Sequence, residues 1–196
     1  MIINHCRGHY PPLRSAMWRS FGATIKPPVD IVRRSENMSS DKGFEPEAVA
    51  AKRRADNWRE ALEHVGKLYE QQGIADSSYT EAMISAVEEL GPYMVLVPGV
   101  AMPHAKSAQG VKRPGQVVVT LDTPVKFGHS KNDPVDILVS FAADADGKSG
   151  AGHMEMIRSL TGVLSDAELL DSIRNAGDDN ALCSLFDKST TTTKGE

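Results

Sequence analysis

The central segment of this sequence reads Gln116-Val117-Val118-Val119-Thr120-Leu121. Valine-rich runs of this length, bounded by glycine or proline, are typical of buried β-strands. Two further apolar runs have the same character, at Tyr93–Val97 and Val135–Phe141. The middle of the chain is therefore predicted to form a β-sheet.

Helical patterns precede these strands. Asp56 is placed to cap a first helix, and Gly73 is placed to end it. The apolar face of this helix consists of Trp58, Ala61, Leu62, Val65, Leu68 and Tyr69. A second helix opens on the capping box formed by Ser78 and Glu81, and Gly91 stops it.

Helical patterns also follow the strands. One helix is predicted from about His153 to Leu164, and a second capping box, Ser165 with Glu168, opens a short helix after it. A last helix carries Ala181, Leu182, Leu185 and Phe186. Helices on both sides of a strand-rich middle predict an α/β layered domain.

The two ends of the chain differ in composition from this domain. Residues 1–45 hold scattered prolines, arginines and serines without a sustained hydrophobic period, which predicts a poorly ordered extension. Residues 189–196 are of low complexity and are expected to be a disordered tail. The domain is therefore expected to occupy residues 46–188.

Length and charge exclude several classes of protein. The chain has 196 residues, of which 40% are hydrophobic, and a formal net charge of −4. This composition gives no basic footprint for nucleic acid. No apolar run approaches the ~18–20 residues that span a bilayer, and the first residues lack the apolar segment of a signal peptide. A cytoplasmic protein is predicted.

The six histidines are the main candidates for chemistry, because the sequence shows no phosphate-binding glycine loop, zinc motif or nucleophile elbow. His104 stands out because Pro98, Gly99 and Pro103 restrict the backbone before it. Such a loop can present a side chain to a partner at a fixed angle. Taken alone, however, the loop favours a histidine that only hydrogen-bonds within it.

The other histidines give weaker signals. His153 begins a helix after several glycines, and a helix N-terminus suits a phosphoryl group; an exposed first-turn histidine without a role is the simpler interpretation. His129 belongs to a turn, and His64 lies at the edge of an apolar stripe. His5 and His9 lie in the predicted extension.

Several stretches together resemble a known family. Gly99-Val100-Ala101-Met102-Pro103-His104-Ala105 is similar to the phosphorylation-site loop of enzyme IIA domains of the phosphoenolpyruvate-dependent sugar phosphotransferase system, mannitol/fructose type. The resemblance extends in order through Asp56–Ala61, Tyr79–Met83, Gly91–Val95, Thr123–His129 and Asn132–Val135, and it closes with His153-Met154, Leu160 and Leu164-Ser165-Asp166. It covers about residues 47–187 and is greatest for the ascorbate-type branch.

The resemblance implies a three-layer α/β/α sandwich with a central mixed sheet flanked by helices. It implies that His104 is the phosphoryl acceptor, through a tele-phosphohistidine, and that His153 stabilises the phosphoryl group. The implied donor is the histidine phosphocarrier protein, HPr. The implied acceptor is a cysteine of enzyme IIB, which serves the membrane component IIC, and no metal or organic cofactor is implied.

Two departures qualify this resemblance. Mannitol-type members carry an arginine in the second helix, whereas Met83–Glu89 has none, which favours the ascorbate-type branch. The loop at 144–152, which precedes His153, is longer and richer in glycine than the family pattern.

Other functions stay open at this point. Domains of this kind also act as regulatory modules whose phosphorylation controls a target, and a scaffold without phosphotransfer is a third alternative. The sugar is not read from this chain, because the membrane component selects it. The oligomeric state is open as well, a homodimer included.

Overall fold

The computed structural model describes residues 44–105, 109–143 and 150–186. Apart from residues 44 and 45, the predicted extension at 1–45 lies outside these ranges, and so does the predicted tail at 189–196. The elements, in chain order, are β1 Ala48–Arg53, α1 Trp58–Gln71, α2 Ser77–Leu90, β2 Val95–Val97, β3 Val100–Ala101, β4 Gly115–Val125, β5 Val135–Ala142, α3 Gly150–Ser165, α4 Ala167–Asn175 and α5 Asp179–Ser184.

The five strands form one mixed sheet in the order β1-β4-β5-β3-β2. β1 is parallel to β4, and β3 is parallel to β5. The pairs β4–β5 and β2–β3 are antiparallel. The three predicted strands are present, with the first starting later, at Val95. Neither β1 nor β3 is part of the sequence-based prediction.

Side chains alternate between the two faces of the sheet. In β1, Ala48 and Ala50 join a core cluster with α1 and α2, whereas Val49 and Ala51 join a second cluster with α3, α4 and α5. β4 divides in the same way, with Val118 in the second cluster. Helices therefore cover both faces, which confirms the α/β fold with a mixed sheet between helices.

The start of α1 differs from the prediction. Asn57, and not Asp56, is the N-cap, because its side chain accepts a hydrogen bond from the Glu60 amide at 3.1 Å. Glu60 reaches back instead to the Asp56 amide, at 2.8 Å. The two bonds together satisfy amides that the first turn of a helix leaves unpaired.

Two predicted capping boxes are also replaced by aspartate caps. Asp76 caps α2 and accepts bonds from both the amide and the hydroxyl of Ser78, at 3.1 and 2.6 Å. Asp166 caps α4 through the Leu169 amide, and Ser165 is the last residue of α3. In each case an aspartate close to the predicted serine is the N-cap, because the partial positive charge at the helix N-terminus stabilises a carboxylate.

Candidate functional site

His104 lies just beyond β3, at one edge of the sheet. Because β3 runs parallel to β5, the ends of both strands meet at this edge. Phe141, near the end of β5, stacks on the His104 ring with centroids 5.4 Å apart and an interplanar angle of 15°. The Tyr93 ring packs edge-on at 5.4 Å and 79°. Two aromatic rings therefore hold a half-buried imidazole in position.

The tautomer of His104 follows from its hydrogen bond. Nδ1 lies 2.9 Å from the carbonyl oxygen of Met102. A carbonyl oxygen only accepts, so in the neutral ring Nδ1 carries the proton and donates it. Nε2 is then the nitrogen with a free lone pair. This arrangement provides a nucleophile at a defined atom.

Tyrosine hydroxyls hold the backbone on either side of the imidazole. The Tyr93 hydroxyl donates to the carbonyl of His104 itself at 2.7 Å. The Tyr79 hydroxyl donates to the Phe141 carbonyl at 3.2 Å and accepts from the Ala105 amide at 3.3 Å. The loop that carries His104 is thus bonded to α2 and β5 as well as to Tyr93.

A third tyrosine acts through a buried serine. The Ser140 hydroxyl donates to the Pro103 carbonyl at 2.5 Å, and the Tyr69 hydroxyl lies 2.6 Å from Ser140 Oγ. Ser140 is fully buried, and Tyr69 is nearly so. Buried hydroxyls cost free energy unless they are paired, so this chain of bonds is tightly defined.

Burial keeps these phenols protonated. It raises the pKa of Tyr79 to about 12 and that of Tyr69 well above its ordinary value. Burial also raises the pKa of Tyr93. All three hydroxyls therefore remain hydrogen-bond donors throughout the neutral range.

His153 lies at the beginning of α3, close to Gly150, and its side chain is outside the described part of the structure. The body of α3 contacts the start of β4: the side-chain Nε2 of Gln116 donates to Ser159 Oγ at 3.2 Å. Gln116 pairs in turn with Phe141, the residue that stacks on the imidazole. The structure thus brings α3 to the sheet edge that carries His104.

The remaining described histidines serve the backbone. His129 Nδ1 accepts from the amides of Lys131 and Asn132, at 3.3 and 3.0 Å, as a turn histidine does. His64 Nε2 donates to the Arg54 carbonyl at 2.8 Å. His5 and His9 lie outside the described residues.

Within the described ranges, no cluster of three or more histidine, cysteine, aspartate or glutamate side chains is placed to hold a metal ion. No helix in the part of the chain that the structure describes is long and apolar enough to cross a membrane.

The sequence patterns do not identify Tyr69, Tyr79, Tyr93 or Ser140 as parts of the site. Tyr69 belongs to the predicted apolar face of the first helix, and Tyr93 belongs to a predicted strand. Their hydroxyls carried a usable signal, since a buried tyrosine O–H nearly always finds a partner. The identity of that partner depends on the fold.

Residues 43–189 match the family described as "Phosphoenolpyruvate-dependent sugar phosphotransferase system, EIIA 2". The chain is 34% identical over 149 residues to the ascorbate-specific PTS system EIIA component of Escherichia coli (strain K12), covering 76% of this chain and 94% of the relative.

Solved structures share the fold. The mannitol-specific cryptic phosphotransferase enzyme IIA CmtB of Escherichia coli has a TM-score of 0.62 and 25% identity, over 75% of this chain and 96% of that one. Enzyme IIA of the Escherichia coli mannitol system, solved in complex with phosphorylated enzyme IIB, has a TM-score of 0.58 and 23% identity, over 70% and 92%. With the family match spanning most of the sequence, this chain belongs to the EIIA type-2 family of the phosphoenolpyruvate-dependent sugar phosphotransferase system, a family of phosphoryl-transfer proteins.

Proposed function

We propose that Nε2 of His104 accepts a phosphoryl group from phosphorylated HPr and passes it to the active cysteine of an enzyme IIB. The observation that carries this assignment is the hydrogen bond between His104 Nδ1 and the Met102 carbonyl. It leaves the lone pair of Nε2 available on a half-buried ring. The backbone of the loop that carries this ring is hydrogen-bonded by side-chain hydroxyls.

The transfer is an in-line displacement at phosphorus. The Nε2 lone pair forms a new N–P bond while the N–P bond of the donor breaks and its electron pair returns to the donor's imidazole. Positive charge develops on the His104 ring as the bond forms, and Nδ1–H shares it with the Met102 carbonyl. A hydrogen bond from a charged donor is worth about twice a neutral one, so this contact strengthens in the transition state.

His153 is proposed as the residue that stabilises the phosphoryl group. The placement of α3 at the sheet edge that carries His104 supports this role. An imidazole N–H near a phosphoryl oxygen makes a charge-assisted bond worth about 1.5–3 kcal/mol. The helix N-terminus that precedes it adds amide donors of the same polarity.

The proposed partners follow from the family. A mannitol-system relative with the same fold has been solved with phosphorylated enzyme IIB, and we assign the same class of partner to this chain, with HPr as the donor and the membrane component IIC reached only through IIB. The proposed location is the cytoplasm, where HPr and IIB would meet it.

We assign the carbohydrate to the L-ascorbate type. The support is the 34% identity to ascorbate-specific components, together with α2, which carries no arginine. In a strain that lacks its ascorbate-type IIA, this chain is expected to restore growth on L-ascorbate. In a strain that lacks its mannitol-type IIA, it is not expected to restore growth on mannitol. Rescue of mannitol growth alone would contradict the assignment.

Phosphotransfer from HPr tests the central proposal. The wild-type chain, incubated with phosphoenolpyruvate, enzyme I and HPr, is expected to take label on His104, located by mass mapping under alkaline conditions. His104→Gln is expected to take none. His64→Gln is the matched control, because His64 only donates to a backbone carbonyl. Full labelling of His104→Gln would overturn the assignment.

His153→Ala separates the two histidine roles. We expect this variant still to accept the phosphoryl group on His104 but to pass it to IIB about ten- to a hundredfold more slowly, as loss of a charge-assisted bond implies. Rapid-quench measurement of the two half-reactions shows the difference. Unchanged transfer in both halves would remove His153 from the site.

A further inference from the structure

We propose that the hydroxyls of Tyr69, Tyr79 and Tyr93 act as positioning groups that fix the tautomer and orientation of His104. This inference rests on the proposed function of His104. None of these hydroxyls contacts the imidazole nitrogens; they hold the backbone from which the imidazole projects. The set of bonds, with Ser140 as the relay from Tyr69, is called the tyrosine clamp below.

The clamp takes hold of consecutive residues. Pro103 is held through its carbonyl, at 2.5 Å from Ser140 Oγ. His104 is held through its carbonyl, at 2.7 Å from Tyr93. Ala105 is held through its amide, at 3.3 Å from Tyr79. No regular secondary structure orders this segment, so side-chain hydroxyls supply the bonds that a helix or sheet would make.

The direction of each bond is determined by its acceptor. The carbonyl of Pro103 only accepts, so Ser140 donates to it, and Tyr69 must then donate to Ser140 Oγ. Tyr79 donates to the Phe141 carbonyl, which leaves its oxygen to accept from Ala105. The clamp therefore works only with protonated phenols.

The hydrogen bond that sets the tautomer joins residues close in sequence, so it depends on the backbone dihedral angles between them. His104 Nδ1 reaches the carbonyl of Met102, two residues earlier, across Pro103. Proline fixes one of the intervening dihedrals, and the clamp restrains the others from α1, α2 and β5. If the loop relaxes, Nδ1 loses the carbonyl and the ring is free to place its proton on Nε2, where it blocks attack.

Tyr93→Phe is the most direct test. The ring and its edge contact with His104 are retained, and only the hydroxyl is lost. Tyr93 is half-buried, so folding is expected to be unaffected. We expect ¹⁵N NMR of the unphosphorylated protein to show a smaller population of the Nδ1–H tautomer. We expect kcat for phosphoryl transfer from HPr to fall about three- to tenfold with KM unchanged.

Ser140→Ala is the second variant, and it removes the relay between Tyr69 and Pro103. Thr120→Val is the control: Thr120 is an equally buried hydroxyl, and it accepts from the Lys52 amide at 2.9 Å, away from the His104 loop. We expect Ser140→Ala to shift the tautomer and lower kcat, and Thr120→Val to do neither. If Ser140→Ala does not fold, Tyr93→Phe still decides the result.

The clamp is overturned if Tyr93→Phe keeps both the tautomer population and kcat. It is also overturned if Thr120→Val lowers kcat as much as the clamp variants, because loss of stability would then be the cause. The NMR measurement needs no phosphoryl donor, and mass mapping of label on His104 is independent of rate. Failure of the clamp and failure of the proposed function therefore give different results.

Discussion

At the scale of single residues, Lys52 has an unusual backbone conformation. Its φ is 53°, at the point where the register between β1 and β4 shifts. The left-handed region costs a residue with a Cβ about 1–2 kcal/mol. Two bonds hold Lys52 there: its amide donates to Thr120 Oγ1 at 2.9 Å, and its ammonium donates to the Arg174 carbonyl, in the last turn of α4, at 2.8 Å.

A comparison of Lys52→Gly with Lys52→Ala measures the cost of this backbone conformation. Both variants lose the bond to Arg174, but only alanine keeps the strained Cβ. After the larger backbone entropy of unfolded glycine is subtracted, we expect Lys52→Gly to be more stable by about 0.5–1 kcal/mol. Urea denaturation of both variants measures this. Equal midpoints would show that the bulge relaxes without strain.

At the scale of elements, Gly66 of α1 packs against Thr80 of α2. A Cβ placed there would overlap the side chain of Thr80. Although alanine is the better helix former by about 1 kcal/mol, overpacking of a buried contact costs about 1–3 kcal/mol. We expect Gly66→Ala to lower the free energy of unfolding.

A double-mutant cycle tests this cause. In a Thr80→Ala background the hydroxyl and methyl groups are absent, so Gly66→Ala should cost clearly less than in the wild type. The measurement is the denaturation midpoint of the four proteins. Additive effects would mean that the helices separate freely. Because Tyr69 and Tyr79 belong to these helices, a shift here is also expected to slow phosphotransfer.

At the scale of the whole molecule, the buried tyrosines couple stability to alkaline pH. Unfolded tyrosine ionises near pH ~10, whereas burial raises the pKa of Tyr79 to about 12. Between these values the unfolded chain has released a proton that the folded chain retains, so stability falls as the pH rises. At about 1.4 kcal/mol per pH unit, the shifted pKa of Tyr79 alone is expected to lower the free energy of unfolding by about 2–3 kcal/mol across this interval.

Urea midpoints on either side of this window measure the loss. We expect the wild-type free energy of unfolding to be flat between neutrality and about pH 9 and to decline above about pH 10. Tyr79→Phe should be less stable at neutral pH and should decline less steeply. An identical alkaline slope in Tyr79→Phe would show that Tyr79 ionises normally in the folded protein.

Elements with strong local patterns are predictable from the sequence. Valine-rich runs specified β4 and β5, and helical spacing specified α1 and α2, because burial of one face requires these periods. The rigid loop around His104 was also visible, since proline and glycine restrict the backbone wherever they occur. The resemblance across the domain then gave the family, which the comparisons confirm.

The pairing of polar groups, in contrast, depends on the folded chain. Half of β1 is alanine, a weak strand former, and this segment becomes a strand because it pairs with β4. Asn57 caps α1, while the Glu60 carboxylate accepts from the Asp56 amide. Tyr69 finds Ser140 at a sequence separation of 71 residues. A local pattern shows that a hydroxyl will be buried, but only the folded chain supplies its partner, because hydrogen bonds need contact within about 3 Å.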